Sequence, residues 1–175
     1  MGRPKALIEI DGCSLIARTA GIAHEITPDV VLLGEPPFEL PATLSTLEVL
    51  PDRFPGAGPI AGLDSLLEAR PKCDCILLAC DMPRLSAATL GRIIDAGAVA
   101  DAIVPRTRGS DADDWRVHPC CAIFRSSARP AVSAAIGGGE YAMMRLLERL
   151  RVKFVDLSGE EAAHLDNWNA PEDVV

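Results

Sequence analysis

Basic residues are the scarcer charge in this 175-residue sequence, with 17 Lys and Arg against 25 Asp and Glu and a net charge of −8. A general nucleic-acid binder presents a basic face to phosphates; no such face is visible, so nucleic acid is excluded as a partner. No apolar run approaches the ~20 residues that span a bilayer. The opening Met1-Gly2-Arg3-Pro4-Lys5 lacks the basic-then-apolar order of a secretion signal. Ala at position 6 rules out a myristoylation start. No membrane partner and a cytoplasmic location are therefore expected. None of the six cysteines stands in C-x-x-C spacing, so zinc is not indicated; they read as reduced, hydrophobe-like thiols. Internal repeats, low-complexity tracts and linkers are also lacking, and the length suits one domain.

What is present is an alternation of short apolar runs with amphipathic stretches. Ala6 to Ile10 reads as a strand stopped by Asp11-Gly12. Ser14 is placed to cap a helix running to about His24. Val30 to Leu33 and Leu47 to Leu50 read as strands, with a proline-rich loop from Glu35 to Pro41 between them. A Pro- and Gly-rich segment, Pro51 to Pro59, leads into a helix over Ile60 to Ala69. Cys75 to Ala79 is the clearest strand, continuous and apolar as in a sheet covered on both faces. Ser86 caps a helix to about Ala96. Ala102 to Val104 is a strand, and Arg106 to Arg116 reads as a polar, mobile loop. Cys120 to Phe124 and Val152 to Val155 are strands, with helices near Ala131 to Ile136 and Tyr141 to Leu150 between them. Asn167 to Val175 is a loop entering a helix. The pattern predicts an α/β domain with a largely parallel sheet.

In such sheets ligands sit beyond the carboxyl ends of the strands. Asp52 follows Leu50, and Asp81 follows Ala79. Asp81 is the sharpest residue: a carboxylate leaving a buried strand suits Mg²⁺, which takes one or two carboxylates plus substrate phosphates. A turn or cap aspartate is the competing reading. Gly56, Gly58 and Gly62 lie where a loop enters a helix, which suits close approach of a base or phosphate, or a plain surface loop. Lys5 fits phosphate neutralisation or simple solvation. His118, before Pro119, is either a base or a turn residue. Asn169, ahead of Ala170-Pro171-Glu172-Asp173, reads first as a helix N-cap. The pattern is neither a Walker loop nor a dinucleotide fingerprint.

Taken in order, these segments resemble the molybdenum cofactor guanylyltransferases, the MobA-like NTP transferases. Met1-Gly2-Arg3-Pro4-Lys5-Ala6-Leu7 is similar to the end of that family's Gly-Gly-x-Ser-x-Arg-Met-Gly-x-x-Lys loop. Leu50-Pro51-Asp52 followed by Gly58-Pro59-Ile60-Ala61-Gly62 resembles its Gly-Pro-Leu-Ala-Gly segment. Cys80-Asp81-Met82-Pro83 resembles its Cys-Asp-x-Pro motif, and His118-Pro119 its His-Pro. Asn167-Trp168-Asn169-Ala170-Pro171-Glu172-Asp173 resembles its Asn-x-Asn-Thr-Pro-Glu-Asp.

The resemblance implies a three-layer Rossmann-like nucleotidyltransferase fold with a mostly parallel sheet, occupying residues 1–175 as one domain. The implied reaction moves GMP from GTP to molybdopterin and releases pyrophosphate. Lys5 and Gly2 would meet the triphosphate, and Asp81 would hold Mg²⁺. Asp52, Gly58 and Gly62 would bind GTP and select guanine. His118, Asn167 and Asn169 would face molybdopterin. Molybdoenzymes or other cofactor-biosynthesis proteins are the implied protein partners. The family's first strand and the Gly-Gly-x-Ser-x-Arg half of the loop are not in this sequence. That implies a natural chain starting upstream, weak or absent transferase activity without it, and two unpaired strand edges at the sheet's centre. The alternatives are a related transferase using another acceptor or CTP, or a non-catalytic nucleotide-binding protein.

Overall fold

The computed structural model describes residues 4–97, 99–109 and 114–168. Lys5–Leu7 form a single 3₁₀ turn. Strand β1 (Glu9–Ile10) pairs antiparallel with β2 (Cys13–Ser14). The two residues between them, Asp11 and Gly12, have φ of 52° and 77°, the backbone of a tight two-residue hairpin. The strand expected over Ala6 to Ile10 is thus cut to two residues, because the hairpin offers it no longer partner. Helix α1 (Leu15–Ile26) starts at Ser14, whose hydroxyl accepts from the Ala17 N–H. That cap stands where the sequence placed it.

Two parallel strands follow, β3 (Val31–Leu33) and β4 (Glu48–Leu50). Helix α2 (Pro59–Ala69) packs on both and also touches β5 (Cys75–Leu78). After α3 (Ala87–Asp95), capped by Ser86, come β6 (Ala102–Arg108), β7 (Trp115–Val117) and β8 (Cys121–Phe124). Helices α4 (Arg129–Gly137) and α5 (Met143–Leu147), strand β9 (Val152–Leu157) and helix α6 (Glu160–Ala163) complete the described chain.

The larger sheet runs β5-β8-β6-β7, with β9 on β6. It is mixed: β9 is parallel to β6, while β8 is antiparallel to both β5 and β6. Alternation along each strand sends side chains to two cores. Cys75, Leu77, Val104, Ala122 and Phe124 face α2, α4 and α5, whereas Ile76, Leu78, Ile103, Cys121 and Ile123 face α1 and α3. These are the three layers expected.

The segment Arg106 to Arg116 is not a loose loop where it is described. Arg106–Arg108 extend β6, and Trp115–Val117 pair with them antiparallel. The polar side chains find partners across strands: the Arg106 guanidinium lies 4.0 Å from the Trp115 ring of β7 and 2.6 Å from a carboxylate oxygen of Asp156 on β9. Stacked, paired arginines hold a strand that composition alone reads as loop.

Among the described residues β3 pairs only with β4, and β5 only with β8. Between β3 and β5 runs a cleft of ≈ 960 Å³, floored by α1 through Ile16, Ala20 and Ala23. Consecutive residues line it, Val30 through Gly34 on one wall, and Cys73 through Ile76 and then Leu78 through Asp81 on the other. A sheet face would contribute every second residue; an unbroken run means that strand edges face the cleft.

Candidate functional site

At the end of the cleft beyond β5 stands Asp81. The strand tip is tied down, since the Ala79 N–H donates to the Cys120 carbonyl at 2.7 Å. The Asp81 carbonyl accepts from the Trp168 N–H at 2.8 Å. Its side chain is treated differently: Oδ1 is buried and has no hydrogen-bond partner among the described residues. Burial raises its pKa, opposed by its own backbone and by the ammonium of Lys5. A buried, unpaired carboxylate oxygen on a rigid tip is what a hard cation would complete.

Lys5 is exposed, sits in the 3₁₀ turn and lines the same cleft as Asp81. The two residues on which the sequence reading leaned therefore share one wall-to-wall space. Cys80 and Cys120 lie nearby, and burial together with the Asp81 charge raises both thiols above their ordinary value. They stay protonated at neutral pH and are poor metal ligands. Among the described residues no three His, Cys, Asp or Glu side chains gather into a metal cluster. One carboxylate is what the protein offers, the remaining coordination falling to water and phosphate, as Mg²⁺ tolerates.

Asp52 stands just beyond β4, next to the tip of β3. A Cβ on Gly34 would lie 3.4 Å from Asp52 Oδ2. A Cβ on Gly62 would lie 3.2 Å from the Leu33 Cβ and 3.8 Å from Asp52 Oδ1. Gly34 also has φ +76°, which only glycine adopts freely. The two glycines thus let β3, β4 and α2 converge around one carboxylate. Gly58 caps α2 from an exposed position with φ 73° and contributes backbone rather than side-chain chemistry.

His118 is elsewhere. It is 7% exposed, and its Nε2 lies 3.0 Å from the Thr107 hydroxyl, in the corner between β6 and β8. Its side chain does not line the cleft. Burial lowers its pKa to about 4, helped by the Arg116 charge and opposed by Asp166. The ring is neutral at pH 7, which excludes a resting imidazolium. Because the folded pKa lies below the unfolded value, the unfolded chain takes the proton first, and stability falls as pH drops from ~6.5 toward ~4. Urea titrations at pH 7.5 and pH 5 are expected to differ by about 2 kcal/mol more in the wild type than in His118→Gln. Equal differences would mean that the ring titrates as it does in the unfolded chain.

Asn167 is exposed in the segment that Trp168 ties to Asp81, so it lies near the cleft's end. Gly2 and Asn169, with the rest of the helix expected after Asn167, lie outside the described residues. The sequence reading missed Arg53, Asp64 and Ser65, which brace the loop around Asp52: the Ser65 hydroxyl bonds to Pro51 and Arg53, and the Arg53 guanidinium to Asp64. A signal was present, for Asp64 and Ser65 interrupt an otherwise apolar run from Ile60 to Leu67.

Residues 1–154 match the family model described as the MobA-like NTP transferase domain. A protein from Opitutus terrae named probable molybdenum cofactor guanylyltransferase is 30% identical over 180 residues, covering 99% of this chain and 86% of that one. One of the same name from Pelotomaculum thermopropionicum is 26% identical over 181 residues, covering 100% and 84%. Among solved structures, the 2-C-methyl-D-erythritol 4-phosphate cytidylyltransferase of Thermus thermophilus aligns with TM-score 0.79 at 21% identity, over 99% of this chain and 91% of that one. The molybdopterin-guanine dinucleotide biosynthesis protein A of Archaeoglobus fulgidus aligns with TM-score 0.64 at 21% identity, over 97% and 86%. These likenesses support the α/β fold. Among the described residues no helix is long and apolar enough to cross a membrane.

Proposed function

From its membership of the MobA-like NTP transferase domain family, to which the chain belongs, we propose that this nucleotidyltransferase binds GTP and serves transfer of GMP to molybdopterin. The observation that carries the reading is the unpaired Asp81 carboxylate oxygen in one cleft with Lys5. Phosphoryl-group transfer asks little covalent work of a protein, which supplies alignment and charge neutralisation. Asp81 fits the role of Mg²⁺ ligand; bound there, the ion would offset phosphate charge. Lys5 meets the triphosphate as a mobile ammonium from the exposed turn. Asp52, framed by Gly34 and Gly62, is suited to accept hydrogen bonds from the nucleoside. The C-terminal side of the cleft, near Asn167, is left for the acceptor, with His118 a buried neutral support behind it.

The test separates nucleotides before acceptors. Ligand-observed NMR, which reads millimolar constants, is applied to GTP, CTP and ATP with Mg²⁺. GTP is expected to bind at least about tenfold tighter than the others, a difference of ~1.4 kcal/mol. Equal affinity, or preference for CTP, would reject guanine selection. Pyrophosphate release with molybdopterin, and not with sugar phosphates, then tests the acceptor.

A further inference from the structure

We infer that Ser65 is a positioning residue for nucleotide binding: its hydroxyl spans Asp52 and fixes the direction of the Asp52 carboxylate. The Ser65 hydroxyl donates to the Pro51 carbonyl at 2.9 Å. The same oxygen accepts from the Arg53 N–H at 3.3 Å. Those two groups belong to the peptide planes on either side of Asp52. Two fixed planes leave φ and ψ of the residue between them little freedom. One hydroxyl, with one proton and two lone pairs, meets both demands.

The clamp is dry and braced. Ser65 is 5% exposed, so water does not readily replace it. The Arg53 guanidinium lies 3.1 Å from the Asp64 carboxylate and 3.0 Å from that of Glu68, both on the same helix. Asp64 is itself 2% exposed. At position 65 alanine would be the better helix former, and serine in mid-helix commonly turns back on its own helix. Here the hydroxyl reaches across to the loop instead. The backbone of Asp52 is thereby set so that its carboxylate lies against Gly34 and Gly62, 3.4 Å and 3.8 Å from where their Cβ atoms would stand.

The inference rests on the reading that this chain binds GTP. It is tested on the full chain by titrating GTP with Mg²⁺, using ligand-observed NMR, into the wild type, Ser65→Ala, Asp52→Ala and the double variant. Ser65→Ala is expected to weaken GTP about tenfold, the scale of one lost hydrogen bond. Asp52→Ala is expected to weaken it at least as much. The double variant should bind no more weakly than Asp52→Ala, because residues acting through one another are not additive. A general structural role for Ser65 would repeat its loss in the Asp52→Ala background, and that result overturns the inference. So does unchanged affinity in Ser65→Ala while Asp52→Ala loses GTP, which leaves the GTP reading standing. Failure of the GTP reading has a different sign, a wild type that binds no GTP at millimolar concentration, and it removes the inference too. Should Ser65→Ala not fold, Ser65→Cys replaces it, keeping the shape with a far weaker hydrogen-bonding group.

Discussion

Joining an apolar five-residue strand and a glycine-rich turn ahead of residue 1 is expected to raise stability by about 3–5 kcal/mol, the surplus of side-chain burial and edge hydrogen bonding over chain ordering. Both walls of the cleft are strand edges, and β5, four residues long, contributes Cys75, Ile76 and Leu78 to its lining. A strand rises ~3.3 Å per residue, so four or five residues fill that length. Its side chains would meet the α1 residues Ile16 and Ala20 on one face and Leu66 of α2 on the other. Both faces must therefore be apolar. The exit lies by Lys5 and Ala6, which line the cleft. Two measurements check it: urea unfolding, and fluorescence of a hydrophobic dye that an open apolar cleft takes up. An extended chain that unfolds at the same urea concentration and still takes up dye would show that the cleft does not accept a strand. Closing it should also tighten GTP, since Lys5 and Asp81 would then flank an ordered loop.

Asp81→Ala should separate binding from stability in opposite directions. The buried Oδ1 has no partner among the described residues, and an unsatisfied buried polar atom costs ~1–3 kcal/mol. Its removal is expected to stabilise the fold by about 1 kcal/mol, part of the gain being lost to the space left behind. The same change should erase the increase in GTP affinity that Mg²⁺ brings, at least about tenfold by the order of a lost charge-assisted contact. The raised pKa of Asp81 sets a pH dependence of the same sign. As pH falls through it, the carboxylate takes a proton and the Mg²⁺ effect fades, whereas Asp81→Ala shows no such fade. Thermal unfolding alongside a Mg²⁺ titration of GTP binding reads both. A variant that is less stable and keeps its Mg²⁺ response would mean that Asp81 is a structural turn residue.

Local signals carried much of the fold. Ser14 and Ser86 were legible as caps because their side chains bond to the N–H groups of Ala17 and Thr89, three residues on. The run Cys75 to Leu78 was legible because helices cover both its faces. Pairing direction was not legible. Nothing in Cys121 to Phe124 says that it runs against β5 and β6, since an interior strand shows the same apolar run either way. The hairpin of β6 and β7 was hidden for another reason: Arg106, Arg108 and Trp115 satisfy one another across strands. At the candidate site, Asp81 stood out because it follows the apolar run that ends at Ala79, whereas Lys5, at the front of the chain, was singled out only as a lone cation and by the resemblance. The burial of His118 was not, because it depends on Thr107, eleven positions away. The Ser65 clamp depends likewise on Arg53 and Pro51, twelve and fourteen positions earlier.

Helix α2 is buried without a break from Ile60 to Leu67, gripped by β3 and β4 on one flank, β5 on another and α4 on a third. A saturation mutagenesis profile along this helix should therefore lack the usual three-to-four-residue rhythm of tolerated and damaging positions. Tolerance should return only near Glu68, where the helix reaches solvent. With the β3–β4 pair and the five-stranded sheet both resting on it, this segment is the axle of the domain, and drift in its sequence would be the slowest in the molecule.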